Sequence, residues 1–354
     1  MNRITRTTTL IAALAASGPA LAQSNVTLYG ILDNGIENLT NTAPGAGAVT
    51  RVSSGGMNNS RFGFRGAEDL GNGMKAVFQL EGGLLTDTGN SDGGLFRRQA
   101  NVGIEGSYGR LVAGRSFTTT YDFMVPFDPM AYAPYYSWAS GGSASNASTY
   151  SMTTSADNLL KYSLEAGQFK FGATMALGEQ TTGTADGAKY QAGVSYSNGA
   201  LSLVSTVERA NGNNVAVTAR HDKASVLHAG AMYSHGAFKW QLAGRSYKSE
   251  PNNTKLPAVR ANLYWAGLTW QAMPALLLTG AVYYQDIRNL APGADADPVM
   301  YVARARYALS KRTDLYLTGA DAKAKHGKTV GLSRNDAGFA DTQRGIMTGI
   351  QHRF

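Results

Sequence analysis

SRFGFRGAEDLGNGMKAVFQLE, residues 60 to 81, consists of two alternating limbs joined by a turn. In the first limb Phe62 and Phe64 alternate with Arg61, Gly63 and Arg65, a period of two that puts aromatic rings on one face of a strand and guanidinium groups on the other. After AEDLGNG the second limb repeats the division, with Met74, Ala76, Phe78 and Leu80 opposite Lys75, Gln79 and Glu81. The GNG at Gly71 to Gly73 reads as a turn, not as a phosphate cradle. Two arrangements satisfy such a hairpin: a soluble sandwich with oil inside, or its inverse, a membrane barrel with oil outside and water inside.

The rest of the chain separates the two. It has 354 residues, 42 Gly, 18 Tyr, only 10 Pro, no Cys and a formal charge of +8. The missing Cys removes disulfide staples and thiolate metal sites, and no composition break marks a second domain. Residues 1–22, MNRITRTTTLIAALAASGPALA, place Arg3 and Arg6 before an apolar run from Leu10 to Ala16 and end on Ala20-Leu21-Ala22. That is the order of a signal peptide for export, with an apolar run far short of the roughly 20 residues a spanning helix needs. Without Arg3 and Arg6, 30 basic residues stand against 24 acidic, so residues 23–354 form one basic exported domain of charge +6. Beyond Ala22 no apolar run reaches spanning length. A membrane form must then be built of alternating strands closed on themselves, which alone satisfies their backbone hydrogen bonds in lipid.

Tight turns and longer loops take turns along the sequence. The tight ones are AEDLGNG, Ser107 to Gly109, Glu165 to Gln168, Ser197 to Ala200, Ser234 to Ala237, Ala272 to Ala275 and Ser310 to Thr313. The longer ones are a Gly, Thr and Ala loop reaching to Val49, LLTDTGNSDGG, residues 116–156, and stretches near 179–186, 209–223, 249–257, 288–297 and 321–343. Seven turns and eight loops join sixteen strands, long at one end and short at the other, which predicts an all-β, 16-stranded antiparallel transmembrane β-barrel.

Parity favours the inverted arrangement. Phe238, Trp240 and Leu242 oppose Lys239, Gln241 and Arg245; Val299, Tyr301, Ala303, Ala305, Tyr307 and Leu309 oppose Arg304 and Arg306. In LFRRQANVGIEG, Ala100, Val102 and Ile104 oppose Arg97, Gln99, Asn101 and Glu105, which sends Arg98 to the lipid side. Burying so many cations unpaired would cost several kcal/mol each, so their face is expected to meet water. Tyr264, Trp265, Trp270, Tyr283 and Tyr284 suit interfacial belts. Residues 116–156 carry no Lys, Arg or Glu and are crowded with aromatics, among them Tyr121, Phe123, Phe127, Tyr132, Tyr135, Tyr136 and Trp138. So aromatic a loop is expected to fold inward, because a solvated linker is not built this way.

These residues resemble the general porins of Gram-negative outer membranes, of the Neisseria, Bordetella and Burkholderia type. The resemblance is carried by VTLYGILDNG, residues 60 to 81, LFRRQANVGIEGSYGRLVAGR, DNLLKYS, SKRTDLY and the terminal GIQHRF, which together span nearly all of the chain beyond residue 22. It implies a multi-pass β-barrel of the outer membrane, a homotrimer, and a third loop that narrows the lumen. It also implies passive diffusion of small hydrophilic solutes, and a terminal Phe354 read by the barrel-assembly machinery. Arg61 matches the Arg of the family's SRxGxxG strand, Arg97 the first of its RR pair, and Lys161 an inward basic residue after the long loop; these three are the expected constriction cations. Arg65, Lys75, Arg304 and Arg306 are expected to face the lumen, with Asp122, Asp128, Tyr121 and Phe123 on the loop side. The loop carries VPFDPM where some relatives carry an acidic PEFG-like tip, so positive potential is in excess and anion preference is expected.

The implied partners are outer-membrane lipid, lipopolysaccharide, and small anionic or neutral hydrophilic solutes. A solute-specific porin, or a barrel serving mainly as surface adhesin or receptor, stays open beside the general channel. An enzyme is not expected: His221, His228, His235, His326 and His352 show no metal-ligand spacing, and His221 beside Asp222 reads as a solvated loop pair. No cofactor or metal is expected, and cations spread over many strands do not make a nucleic-acid footprint.

Overall fold

The computed structural model describes residues 25–45, 47–141, 150–216, 218–253, 255–288, 292–333 and 338–354; the expected leader 1–22 lies outside them. Among the described residues are seventeen strands in one antiparallel sheet: β1 (Asn25–Thr40), β2 (Ala48–Ser54), β3 (Arg61–Gly71), β4 (Met74–Gly83), β5 (Gln99–Gly106), β6 (Gly109–Phe117), β7 (Ser155–Ala166), β8 (Phe169–Ala176), β9 (Lys189–Ser197), β10 (Leu201–Asn211), β11 (Lys223–His235), β12 (Phe238–Glu250), β13 (Val259–Met273), β14 (Leu276–Arg288), β15 (Val299–Ala308), β16 (Thr313–Lys323) and β17 (Thr342–Arg353). Sequence neighbours pair except β2 with β3, both of which pair with β1, and β1 closes the ring on β17 from Ile31↔Arg353 to Leu39↔Gly345. Closure removes the two free edges of an open sheet, which lipid would leave unsatisfied.

The ring has sixteen positions because β2 and β3 share one. Residues 34–40 of β1 pair with β2 and residues 25–31 pair with β3. Between the two, residues 55–60 leave the ladder and wrap the buried Asp33 carboxylate, which accepts the amides of Met57 (3.0 Å) and Asn58 (2.9 Å), the Tyr316 hydroxyl (2.8 Å) and Gln351 Nε2 (2.8 Å). This interrupted strand is absent from the alternation pattern, which carried the first loop as far as Val49. The seven tight turns and eight longer connections fall where the sequence puts them. At the first hairpin Gly71, Asn72 and Gly73 all take positive φ, the backbone that a GNG turn supplies.

The outward face is greasy and unpartnered: Leu28, Ile36, Val102, Leu242, Tyr301, Leu317 and Ile346 are all exposed. Near the tight-turn end two groups of touching rings, Phe171, Phe169 and Tyr196, and Tyr233, Trp240, Phe238 and Trp270, form part of an aromatic girdle. Tyr264, Trp270 and Tyr284 belong to the outer surface as expected, but Trp265 and Tyr283 do not. Both are odd-numbered neighbours of those outward residues and so point inward, where they are buried.

Candidate functional site

The connection between β6 and β7 enters the barrel over its described residues, 118–141 and 150–154. Thr118 caps a short helix, α1 (Thr119–Met124), which a 3-10 turn at Val125–Phe127 extends. Side chains from the inner wall then take the loop's backbone polar groups one after another. Thr174 Oγ1 accepts from the Thr119 amide (3.0 Å) and Gln191 Oε1 from the Thr120 amide (2.8 Å). Gln241 Nε2 donates to the Pro126 carbonyl (2.7 Å), and Trp265 Nε1 to the Phe127 carbonyl (2.9 Å). Further along, the Tyr136 hydroxyl donates to Glu37 (2.7 Å) and Trp138 Nε1 to the Gly331 carbonyl (3.1 Å).

This docking divides the interior. Phe127, Met130, Tyr136 and Trp138 bury against Leu263, Trp265, Tyr283, Met300, Leu332 and Met347, so the side of the lumen along β10 to β17 is dry. The expectation that every inward cation meets water is corrected here. Arg245 is fully buried beneath the loop, donating Nη1 to the carbonyls of Ala139 (3.1 Å) and Ser140 (3.3 Å). Arg304 is half-buried and donates Nε to Thr318 (3.2 Å).

Along β3 to β8 the interior stays polar, and two cavities open on it. One, of about 350 Å³ toward the loop end, is lined by Arg97, Arg98, Arg115, Asp92, Phe117 and Tyr121 among others. The second, of about 230 Å³ toward the turn end, is lined by Arg110, Lys161, Lys170, Asp122, Gln99 and Asn101 among others. Cations outnumber carboxylates three to one in each lining. Beside the first cavity sits Glu81, a buried carboxylate that accepts Arg98 Nε (2.7 Å) and the Tyr29 hydroxyl (2.8 Å) and lies 3.7 Å from Arg61 Nε. Arg98 also stacks over Phe117 (5.1 Å), which in turn stacks on Tyr121 (4.3 Å between centroids).

The sequence-named residues fall into three groups. Arg61, Arg97 and Tyr121 are brought to the polar wall, Arg97 pairing with Asp92 (3.1 Å) and remaining half exposed. Lys161 does not stand across the pore from Asp122: the two form an ion pair (2.8 Å), with the Phe117 carbonyl as a second acceptor (2.8 Å), tying α1 to the wall. Arg65 lies over the Tyr29 ring (5.3 Å), Lys75 follows the first hairpin turn, and Arg306 lies 3.9 Å from Asp314 near the turn end.

Three expectations are corrected. Asp128 lines no water path, because it is buried among the amides of Tyr132 (2.7 Å) and Met130 (3.3 Å) and the hydroxyls of Ser137 (2.8 Å) and Tyr283. Phe123 is buried against the wall, where Gly172 and Gly193 leave it room. Arg98 faces inward, not toward lipid, since β5 begins at Gln99 and parity cannot be extended into the turn before it. Glu81, Arg115 and Arg245 were not named as site residues from sequence; Gly114, at φ 124°, breaks the register of β6 just before Arg115 and hides its side.

At the other end of the sequence Phe354 exchanges two backbone hydrogen bonds with Gly30 (3.1 Å each), and its ring covers the space a Gly30 side chain would need. In the outer loops His221 pairs with Asp186 (2.6 Å) rather than with its neighbour Asp222.

Known proteins share this architecture and this sequence. The outer membrane porin protein 32 of Delftia acidovorans is 32% identical over 361 aligned residues, covering 97% of this chain and 98% of its own. An outer membrane porin protein of Bordetella pertussis is 30% identical, covering 98% and 99%. Among solved structures, an anion-selective porin from Comamonas acidovorans superposes with a TM-score of 0.81 at 26% identity, over 94% of this chain and 100% of that one. The sequence model described as Gram-negative porin matches residues 7–327, and with the closed sixteen-position barrel it shows that this chain is an outer-membrane protein belonging to the Gram-negative porin family.

Proposed function

We propose that the polar side of the lumen is a passive diffusion path for small hydrophilic solutes that prefers anions. One observation carries the preference: the two cavities together present six cations against two carboxylates, in a narrow space walled by low-dielectric protein and lipid. The relative described as anion-selective supports the same sign. The path needs no catalytic group or cofactor, so we read the protein as a channel and not an enzyme. Reversal potentials across a planar bilayer under a KCl gradient test this. The wild type should favour chloride, and Arg97→Glu with Arg115→Glu, which turns the first lining from three cations and one carboxylate into one and three, should move the preference toward potassium. Cation preference in the wild type, or no response to the double variant, refutes the proposal. Liposome swelling separates it from a plugged barrel acting as adhesin or receptor, which would admit no solute.

We further propose a homotrimer. Asn34, Asn38, Thr50 and Thr348 project outward from β1, β2 and β17, where lipid would solvate them poorly and a neighbouring subunit would not. One structural relative is described in a trimer form. Single-channel records closing in three equal steps are the expected signature. Phe354 is carried forward as the proposed assembly signal, and the barrel-assembly machinery as its partner; the ordered pairing with Gly30 supports a role for this residue in closure. Export by residues 1–22 is proposed on the charged, apolar and small-residue order alone.

A further inference from the structure

Register aligns the inner wall beneath the third loop in rows. Thr206 of β10 is opposite His228 of β11, His228 opposite Arg245 of β12, and Arg245 opposite Leu263 of β13, all four buried. The next row toward the turn end is Val204, Gly230, Ala243 and Trp265, with Phe127 of the loop packed over the glycine. The next row toward the loop end is Glu208, Val226, Tyr247 and Ala261. The middle row is therefore a polar strip in largely apolar surroundings.

That strip holds donors with nothing to donate to. Arg245 spends Nη1 on the loop carbonyls of Ala139 and Ser140, while Nε and Nη2, the side-on fork of the guanidinium, have no hydrogen-bond partner among the described residues. Thr206 Oγ1 lies 3.2 Å from His228 Nδ1; with the hydroxyl as donor the ring carries its proton on Nε2, and Nε2 too is without a partner there. No carboxylate among the described residues forms an ion pair with Arg245. Glu208, one row away, takes the Thr153 amide (3.1 Å) and hydroxyl, and on its other side Lys189 shares the inward parity of its register partner Gln191. Residues 142–149 of the loop carry no acidic residue in their sequence. A guanidinium so deeply buried without a counterion is strongly destabilising.

Donors without acceptors suit a ligand that only accepts. A water would have to place two protons, and the unpartnered acceptors on these strands, Gln241 Oε1 and Asn211 Oδ1, stand four residues from Arg245 and five from Thr206, ~13 Å or more of extended chain. We infer that Arg245 Nε and Nη2 and His228 Nε2 hold a buried halide ion, which neutralises the guanidinium and so fixes the third loop at Ala139 and Ser140. Neither residue lines a polar cavity, so the inference is independent of the channel reading.

Bromide is the probe. Crystals of the full-length protein soaked in sodium bromide, with diffraction measured at the bromine edge, should show an anomalous peak at hydrogen-bond distance from Arg245 Nε and Nη2 and His228 Nε2. In detergent at fixed ionic strength, replacing gluconate, which is too large for the site, by chloride or bromide should raise Tm, by about 2 °C for each tenfold in halide above its Kd. His228→Phe should raise the half-saturating halide concentration at least about tenfold, the loss of one hydrogen bond to a charged group, and Arg245→Met should abolish the halide response. Density for water alone at this position in bromide-soaked crystals, bromide found only in the lumen, or one Tm in gluconate and chloride overturns the inference; these readings use the wild type and stand even where Arg245→Met does not fold. A halide response that survives in folded Arg245→Met overturns it as well.

Discussion

At Glu81 one buried carboxylate serves Arg98, Tyr29 and Arg61 together, so its charge orders the wall and, on the proposed anion path, would subtract from the field of the cations around it. Glu81→Gln keeps the shape and removes the charge. Reversal potentials should then show the chloride-to-potassium permeability ratio rising roughly two- to fivefold, the effect of about 0.5–1 kcal/mol. Thermal stability should fall, since leaving a buried guanidinium without its partner costs about 3 kcal/mol. An unchanged or smaller ratio would mean that the carboxylate is already screened from the path. Asp128 is the contrasting case. It holds the left-handed backbone at Ala131 (φ 54°) and Tyr132 (φ 57°) by accepting amides and hydroxyls inside the dry region. Asp128→Ala leaves several buried donors unsatisfied at about 1–3 kcal/mol each, and should appear as noisy conductance with little change in selectivity. Alternation marked Glu81 as polar-facing and the loop composition marked Asp128 as an acid. Neither could show the partners, which lie 17 and 52 residues from the first and as far as 155 from the second.

The third loop behaves as an element because separate strands hold it along its length, from Thr174 of β8 to Glu37 of β1. Its inward fold was legible from aromatic crowding without charge; its choice of side was not, since that depends on which wall offers Trp265, Tyr283 and Met300. The alternation of short and long connections was legible because each turn is a local event. The break between β2 and β3 was not, because the carboxylate it wraps belongs to a strand more than 20 residues earlier. The outer loops form a second kind of element. Thr182 donates to Asp186 (2.7 Å), His221 pairs with the same carboxylate, and the Asn252 amide donates to Asp222 (2.6 Å), clasping three loops. The hydrogen bonds from Thr182 and then His221 hold the Asp186 carboxyl below its ordinary value of 3.8. A depressed folded-state value stabilises the clasp above the ordinary carboxylate range and is lost only as pH falls through the lower value. Hydrogen exchange of residues 182–187 should therefore stay slow from neutral pH down to about 4 and quicken below it, after correction for intrinsic rates. Asp186→Asn should quicken it at neutral pH as well. Exchange equally fast in both proteins at neutral pH would dissolve the clasp.

On the scale of the whole molecule, the docked loop turns a symmetric barrel into an asymmetric one, dry along β10 to β17 and polar along β3 to β8. On the proposed path ions are pressed toward the wall that carries Arg97, Arg98, Arg115 and Lys161, and selectivity is expected to arise from that part of the circumference and not from the net charge of the chain. The two origins respond differently to salt. A long-range field from the +6 of residues 23–354 would be screened almost completely where the Debye length shrinks from about 10 Å at 0.1 M to about 3 Å at 1 M. Cations lining narrow cavities act within that shorter distance and retain part of their effect. Reversal potentials at a fixed tenfold gradient, measured over a rising mean concentration, should show the chloride preference declining but still above unity at 1 M. In the Arg97→Glu/Arg115→Glu protein the residual preference at 1 M should vanish, although the outer rim keeps its charge. A wild-type preference that collapses to unity at high salt would assign selectivity to the global field, and the local wall would then be an electrostatic bystander.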